Sequence, residues 1–160
     1  MFRLSRITDY GIVLMAHLAA RQPERTHNAR EVAEETQLPA PVVSKILKAL
    51  AREGLLQSQR GAKGGYALSR PAREISAAEI ITALEGPIGL TECTVRPGAC
   101  VQEASCHVRE PWQRINSVVR DALGNVTLAD LARPPGAAPA VPLSQIRVGP
   151  QQSARSPQEN

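Results

Sequence analysis

The chain has 160 residues, enough for one domain with a small extension and too few for a large two-lobed enzyme. Apolar residues make up 42% of it but aromatic ones only 2%, so the core must be built from Leu, Ile, Val and Ala, a mixture that favours closely packed helices. A formal charge of +4 permits an acidic partner, and no stretch approaches the roughly 20 apolar residues that span a bilayer.

Met1 to Arg6 is not followed by an unbroken apolar run with a cleavage site, so no secretory leader is read there and a cytoplasmic protein is expected. Thr8 is the expected cap of a first helix running to about Arg21, with Ile12, Met15, Ala16, Ala19 and Ala20 at helical spacing. Gln22-Pro23-Glu24 ends it. Asn28 caps a short second helix from Ala29 to about Glu35, and Gln37-Leu38-Pro39 turns the chain into a third, Ala40 to Glu53, which Gly54 stops. Ile46, Leu47 and Leu50 face inward on this helix, while Ser44, Lys45, Lys48 and Arg52 lie mostly outside. Two short helices and a tight turn, the second basic on its outer face, form a helix-turn-helix pattern; an ordinary helical hairpin with a solvated basic face has the same pattern.

The next segment separates these readings. Leu55 to Arg60 and Tyr66 to Ser69 are short alternating runs, and Gly61-Ala62-Lys63-Gly64-Gly65 between them supplies the positive backbone angles of a hairpin turn. This is a wing, in which Arg60, Lys63 and the backbone at Gly64 can approach phosphates closely. A nucleotide-binding loop is discounted, since no Lys-Ser or Lys-Thr pair opens a helix after these glycines. Leu38 to Arg73 holds seven cations and one anion, so the rest of the chain is net negative. Positive charge concentrated on one head is the distribution that phosphate binding requires.

Ser76 and Glu79 form a capping box at the start of a helix from Ala77 to Leu84, which Gly86-Pro87 ends. All three cysteines then fall in one loop, Cys93, Cys100 and Cys106, with Pro97 and Gly98 bending the chain between the first two. An odd number of thiols argues against a secreted disulfide framework. Metal or cluster binding is one reading, and a disulfide with a spare thiol is another. The spacing lacks a Cys-x-x-Cys knuckle, so zinc with His107 as fourth ligand and the larger iron–sulphur cluster both stay open. Catalysis by a cysteine nucleophile is disfavoured, because no base and orienting carboxylate accompany the loop.

Pro111 fits the first turn of a long helix to about Leu123, in which Trp112, Ile115, Val118, Val119 and Ala122 recur at three- and four-residue spacing. That stripe needs a partner: the same helix of a second subunit, the chain's own first helix, or both. Thr127 caps a last short turn through Leu131, and from Pro134 onward six of the thirteen prolines occur among Gln, Ser and Ala, a composition read as disordered.

Several of these pieces, in this order, carry a resemblance. Phe2-Arg3-Leu4-Ser5 with Thr8-Asp9-Tyr10, the run Val43 to Leu50, the wing Arg60 to Tyr66, and the three-cysteine loop followed by Trp112 resemble the IscR-like family of winged-helix repressors, and within it the regulators of the SUF iron–sulphur assembly operon. The resemblance covers about Met1 to Arg133. It implies a mainly α, winged helix-turn-helix protein with a two-stranded wing and a long C-terminal dimerisation helix. The expected division is a DNA-binding domain over residues 1–75, a cluster loop and dimerisation helix over 76–133, and a tail over 134–160. It further implies a homodimer, not an enzyme, that binds a near-palindromic double-stranded operator through Ser44, Lys45, Lys48, Arg52, Arg60, Lys63 and Gly64. An iron–sulphur cluster of the 2Fe–2S type would be held by Cys93, Cys100 and Cys106 and would control DNA affinity. Arg109 stands where the best-known family members place a ligating histidine, which leaves His107, or an aspartate from the other subunit at the position of Asp9, as fourth ligand. A zinc or thiol-redox loop, and a nitric-oxide or iron sensor of the same family, are the alternatives.

Overall fold

The computed structural model describes residues 3–21, 25–61, 64–134 and 136. Phe2, the expected stop at Gln22-Pro23-Glu24, Lys63, and the tail apart from Pro134 and Gly136 lie outside these. Seven helices are described: α1 (Arg6–Ala20), α2 (Ala29–Thr36), α3 (Ala40–Arg52), α4 (Ala77–Glu85), α5 (Glu92–Val95), α6 (Arg109–Gly124) and α7 (Leu128–Leu131). Strands β1 (Leu56–Gln59) and β2 (Gly65–Leu68) pair antiparallel between α3 and α4, with Leu56 opposite Leu68 and Gln59 opposite Gly65. Among the described residues no helix is long and apolar enough to cross a membrane.

The core is the expected aliphatic one. Leu14, Met15 and Leu18 of α1 close over Val32 of α2, Val43, Ile46, Leu47 and Leu50 of α3, Ile80 of α4 and Leu128 of α7, all buried. Each such side chain contributes about 1.5–3 kcal/mol by leaving water. Burial of residues 43, 46, 47 and 50 fixes the roll of α3 and turns Lys45, Lys48 and Arg52 outward.

The cap of α1 is Ser5, not Thr8. The Ser5 hydroxyl accepts the Thr8 N–H at 3.3 Å, and the Ser5 N–H donates to the Glu85 carboxylate at 2.7 Å. Thr8 is fully buried one turn later, its hydroxyl 3.2 Å from that of Ser5. Two hydroxyl residues three apart are equivalent in sequence, and the Glu85 carboxylate arriving from α4 engages both, its pKa lowered first by the Thr8 hydroxyl and then by the Ser5 N–H.

The wing also differs from expectation in how it uses its glycines. Of those described, only Gly61 has a positive φ, +116°; Gly64 and Gly65 are there because backbone comes close. A Cβ on Gly65 would lie 2.4 Å from the carbonyl oxygen of His27. That carbonyl accepts the Tyr66 N–H at 2.8 Å while the His27 N–H donates back at 2.9 Å, so the link before α2 pins the wing to the head.

Ser76 and Glu79 form the expected capping box on α4, and Thr127 with Asp130 makes a second on α7. The two ends join where Ala77 N–H donates to Val126 O at 2.8 Å and Leu128 N–H to Ile75 O at 2.7 Å. Helix α6 begins at Arg109, so Pro111 occupies its third position, still inside the turn whose amides have no helical partner. The chain supplies α4 and α5 as its chief neighbours rather than α1. Asn116 is the one buried residue of α6, and Trp112 and Ile115 stay 40% and 46% exposed.

Candidate nucleic-acid interface and cysteine loop

On the head, Lys45 and Lys48 project from α3 into solvent with no carboxylate partner among the described residues, and Ser44 beside them is half-buried. Arg60 is exposed at the end of β1, and the Gly64 N–H closes the wing turn onto Gly61 O at 2.9 Å. Arg52 is exposed but 3.1 Å from the Glu53 carboxylate. Two further cations counted in the basic segment serve elsewhere: Arg70 reaches Glu79 on α4, and Arg73 pairs with Glu74. Burial tends to raise the pKa of Glu79, but the Ser76 N–H at 2.8 Å, the Ser76 hydroxyl at 2.9 Å and the Arg70 guanidinium together hold it below the ordinary carboxylate value. Among the described cations of the Leu38–Arg73 segment, those outside ion pairs therefore narrow to Lys45, Lys48 and Arg60, fewer than the sequence count.

The cysteine loop is built from turns rather than from regular structure. Cys93 lies on the single turn of α5, its sulphur 3.3 Å from the Thr91 hydroxyl. Just before it, the loop is fastened to α6: Asn116 Oδ1 accepts the Leu90 N–H at 3.0 Å, and its Nδ2 donates to Ile88 O at 3.4 Å. Gly98, at φ +81°, turns the chain toward Cys100. Glu103 then bridges the loop, one carboxylate oxygen accepting the Gly98 N–H at 2.6 Å and the other 2.7 Å from the Arg109 guanidinium.

All three thiols are free and half-buried. His107 is exposed, as is Asp9 in the first turn of α1. Among the described residues no three Cys, His, Asp or Glu side chains are gathered closely enough to hold one metal ion. The donor chemistry nevertheless fits a soft centre: three thiols unclaimed by disulfides, on one short loop, are what an iron–sulphur cluster or zinc takes. Arg109, engaged with Glu103 and unable to ligate, is not the fourth donor.

Glu103 and Asn116 were not among the residues read as functional. Asn116 had a signal, an amide in the middle of an apolar helical stripe. Glu103 had none, because its partners lie five residues before it and six after, a spacing that belongs to no regular element.

Residues 4–134 match the family model for Rrf2, described as an iron-dependent transcriptional regulator. The HTH-type transcriptional regulator CymR of Bacillus subtilis is 33% identical over 130 residues, 81% of this chain and 89% of that protein. The solved structure of CymR, titled the global cysteine regulator of B. subtilis, superposes with a TM-score of 0.65 at 32% identity, covering 82% of this chain and 97% of that one. That of T. potens IscR gives 0.59 at 28% identity, over 81% and 85%.

Proposed function

From the premise that this chain belongs to the Rrf2 family of helix-turn-helix transcriptional regulators, we propose that it is an iron–sulphur-responsive repressor of cluster-assembly genes. It binds a near-palindromic operator as a homodimer, with Ser44, Lys45, Lys48 and Arg52 entering or flanking the groove and Arg60, Lys63 and Gly64 holding the wing on the backbone. Cys93, Cys100 and Cys106 carry the cluster, of the 2Fe–2S type, with His107 or the partner subunit's Asp9 completing the donor set. When bound, the cluster supplies a labile, oxidant-sensitive cross-link of the loop.

The observation that carries this reading is the double use of α6. Arg109 and Asn116, seven residues apart and so on one face, hold the cysteine loop. On the neighbouring face Trp112 and Ile115 are left open, where the same helix of a second subunit would pack. A change in the loop thus acts on the helix that spaces two DNA heads. By linkage, cluster and DNA alter each other's affinity equally, and a coupling of about 1–3 kcal/mol corresponds to a roughly 5–150-fold switch.

The test is selection of binding sites from a randomised duplex pool, then titration with and without the cluster at several salt concentrations. An inverted repeat with half-sites about one helical turn apart is expected. Lys45→Ala and Lys48→Ala should each lower the salt slope by about 0.9. Failure to select a repeat, or binding indifferent to salt, contradicts the reading. A second reading, a thiol-redox loop without iron, is favoured by the free, half-buried cysteines and by a relative titled a cysteine regulator; it predicts the same DNA binding, switched by oxidant alone.

A further inference from the structure

Glu103 ties together two separate parts of the cysteine loop. Its side chain is only 10% exposed although it is charged and carried on a surface loop. One oxygen receives the Gly98 N–H, in the bend between Cys93 and Cys100. The other meets Arg109, at the start of α6. The backbone adds two turn bonds: the Glu103 N–H donates to Cys100 O at 3.1 Å, and the Arg109 N–H donates to Cys106 O at 3.3 Å. Each member of the ion pair therefore closes a turn begun by a cysteine three residues earlier. Their salt bridge fixes the Cys100 turn relative to the Cys106 turn, with the Gly98 bend tied to the same carboxylate.

This clasp uses no thiol, so it shapes the loop without any metal. It also shapes it in a form where no three donors converge on one ion. Gathering three sulphurs onto one centre means leaving this arrangement of the loop, whose turns the Glu103–Arg109–Gly98 bridge spans. An interaction present in one of two states and lost in the other biases the equilibrium toward the first. We propose that Glu103 is a positioning residue whose clasp to Arg109 and Gly98 holds Cys100 and Cys106 in separate turns and so competes with collection of the three thiols by a soft-metal centre. The competition with a cluster rests on the function proposed above; the clasp itself does not.

Two arms separate these. In the first, reduced metal-free protein is treated with N-ethylmaleimide and the labelling rates of Cys93, Cys100 and Cys106 are read by peptide mass spectrometry. Glu103→Gln, which keeps shape but loses charge, and Arg109→Gln should each label Cys100 and Cys106 about fivefold faster, the ratio expected for losing an ion pair worth roughly 1 kcal/mol. Cys93, held by Thr91, should change less, and Arg109→Lys should restore most of the slow labelling. Unchanged rates at Cys100 and Cys106 in both variants, or equal acceleration at all three thiols, overturn the clasp. In the second arm, the loaded proteins are challenged with a ferrous chelator and the decay of visible absorption is followed. The same two variants should lose the cluster about fivefold more slowly, by the same conversion; faster loss overturns the competition. A wild type that never takes up iron removes the proposed cluster function while the labelling arm still decides the clasp.

Discussion

In the head, Leu14, Ile46, Leu47 and Leu50 are shut away from solvent. Between Leu90 and Val108 no side chain is fully buried, and the chain is held by Asn116, by Thr91 and by the Glu103–Arg109 pair. Apolar packing has one close-packed solution, whereas a few polar ties over a turn-rich loop can be exchanged for others at modest cost. On the proposed function, the head keeps one shape while reading DNA and the loop exchanges its ties. Helix α6 belongs to both kinds of region, polar ties on one face and open apolar surface on the next.

That contrast makes the effects of substitution fall in order. Leu47→Ala opens a cavity in the middle of α3 and should cost about 2–5 kcal/mol, seen as a lowered urea midpoint with DNA binding and structure lost together. Gly65→Ala drives a methyl into the His27 carbonyl and should cost about 1–3 kcal/mol. By urea titration it should destabilise the head, and it should weaken DNA binding even where the head remains folded, because the wing loses its anchor. A stability loss in either variant below about 0.5 kcal/mol, the usual size for a surface change, would break the contrast from the head's side.

Acid sharpens it further. The lowered pKa of Glu79 means that its charged form is favoured by folding. The stability it contributes is present above the ordinary carboxylate value of 4.5 and is lost as pH falls below that toward the depressed folded value. Glu79→Gln should therefore flatten the fall of the thermal midpoint on acidification and lower the midpoint at neutral pH; an unchanged acid limb would contradict the assigned hydrogen bonds. Smallest in stability is Ile115→Lys on the open face of α6, expected within about 0.5 kcal/mol for the folded chain. Its effect should appear as a shift toward monomer in sedimentation and a loss of operator affinity. A stable dimer in this variant would place the subunit contact elsewhere.

How legible each region was follows from the same physics. The aliphatic periodicity of α3, the alternation of the wing and the Ser76–Glu79 box are local patterns, and they stand in the structure where the sequence put them. Ser5 caps α1 in place of Thr8, and its N–H meets a carboxylate 80 residues away that no local pattern announces. Arg70 counted as a DNA-facing cation until the fold brought Glu79 beside it. In the loop, the cysteines were obvious by type, but the side chain that spaces them was not, since Glu103 acts across turns whose geometry no periodicity announces. Packing periodicities are readable one element at a time; polar ties between elements need the fold.

The central claim is that the loop's three thiols serve an iron–sulphur cluster that acts on the DNA head. Anaerobic purification with an absorption spectrum and parallel iron, sulphide and zinc analysis, on the wild type and on Cys100→Ala, tests it most directly. The account predicts a coloured wild-type protein with visible charge-transfer bands and matched iron and sulphide, and a colourless Cys100→Ala that is still folded. A colourless wild type, whether it carries zinc or no metal, would contradict it.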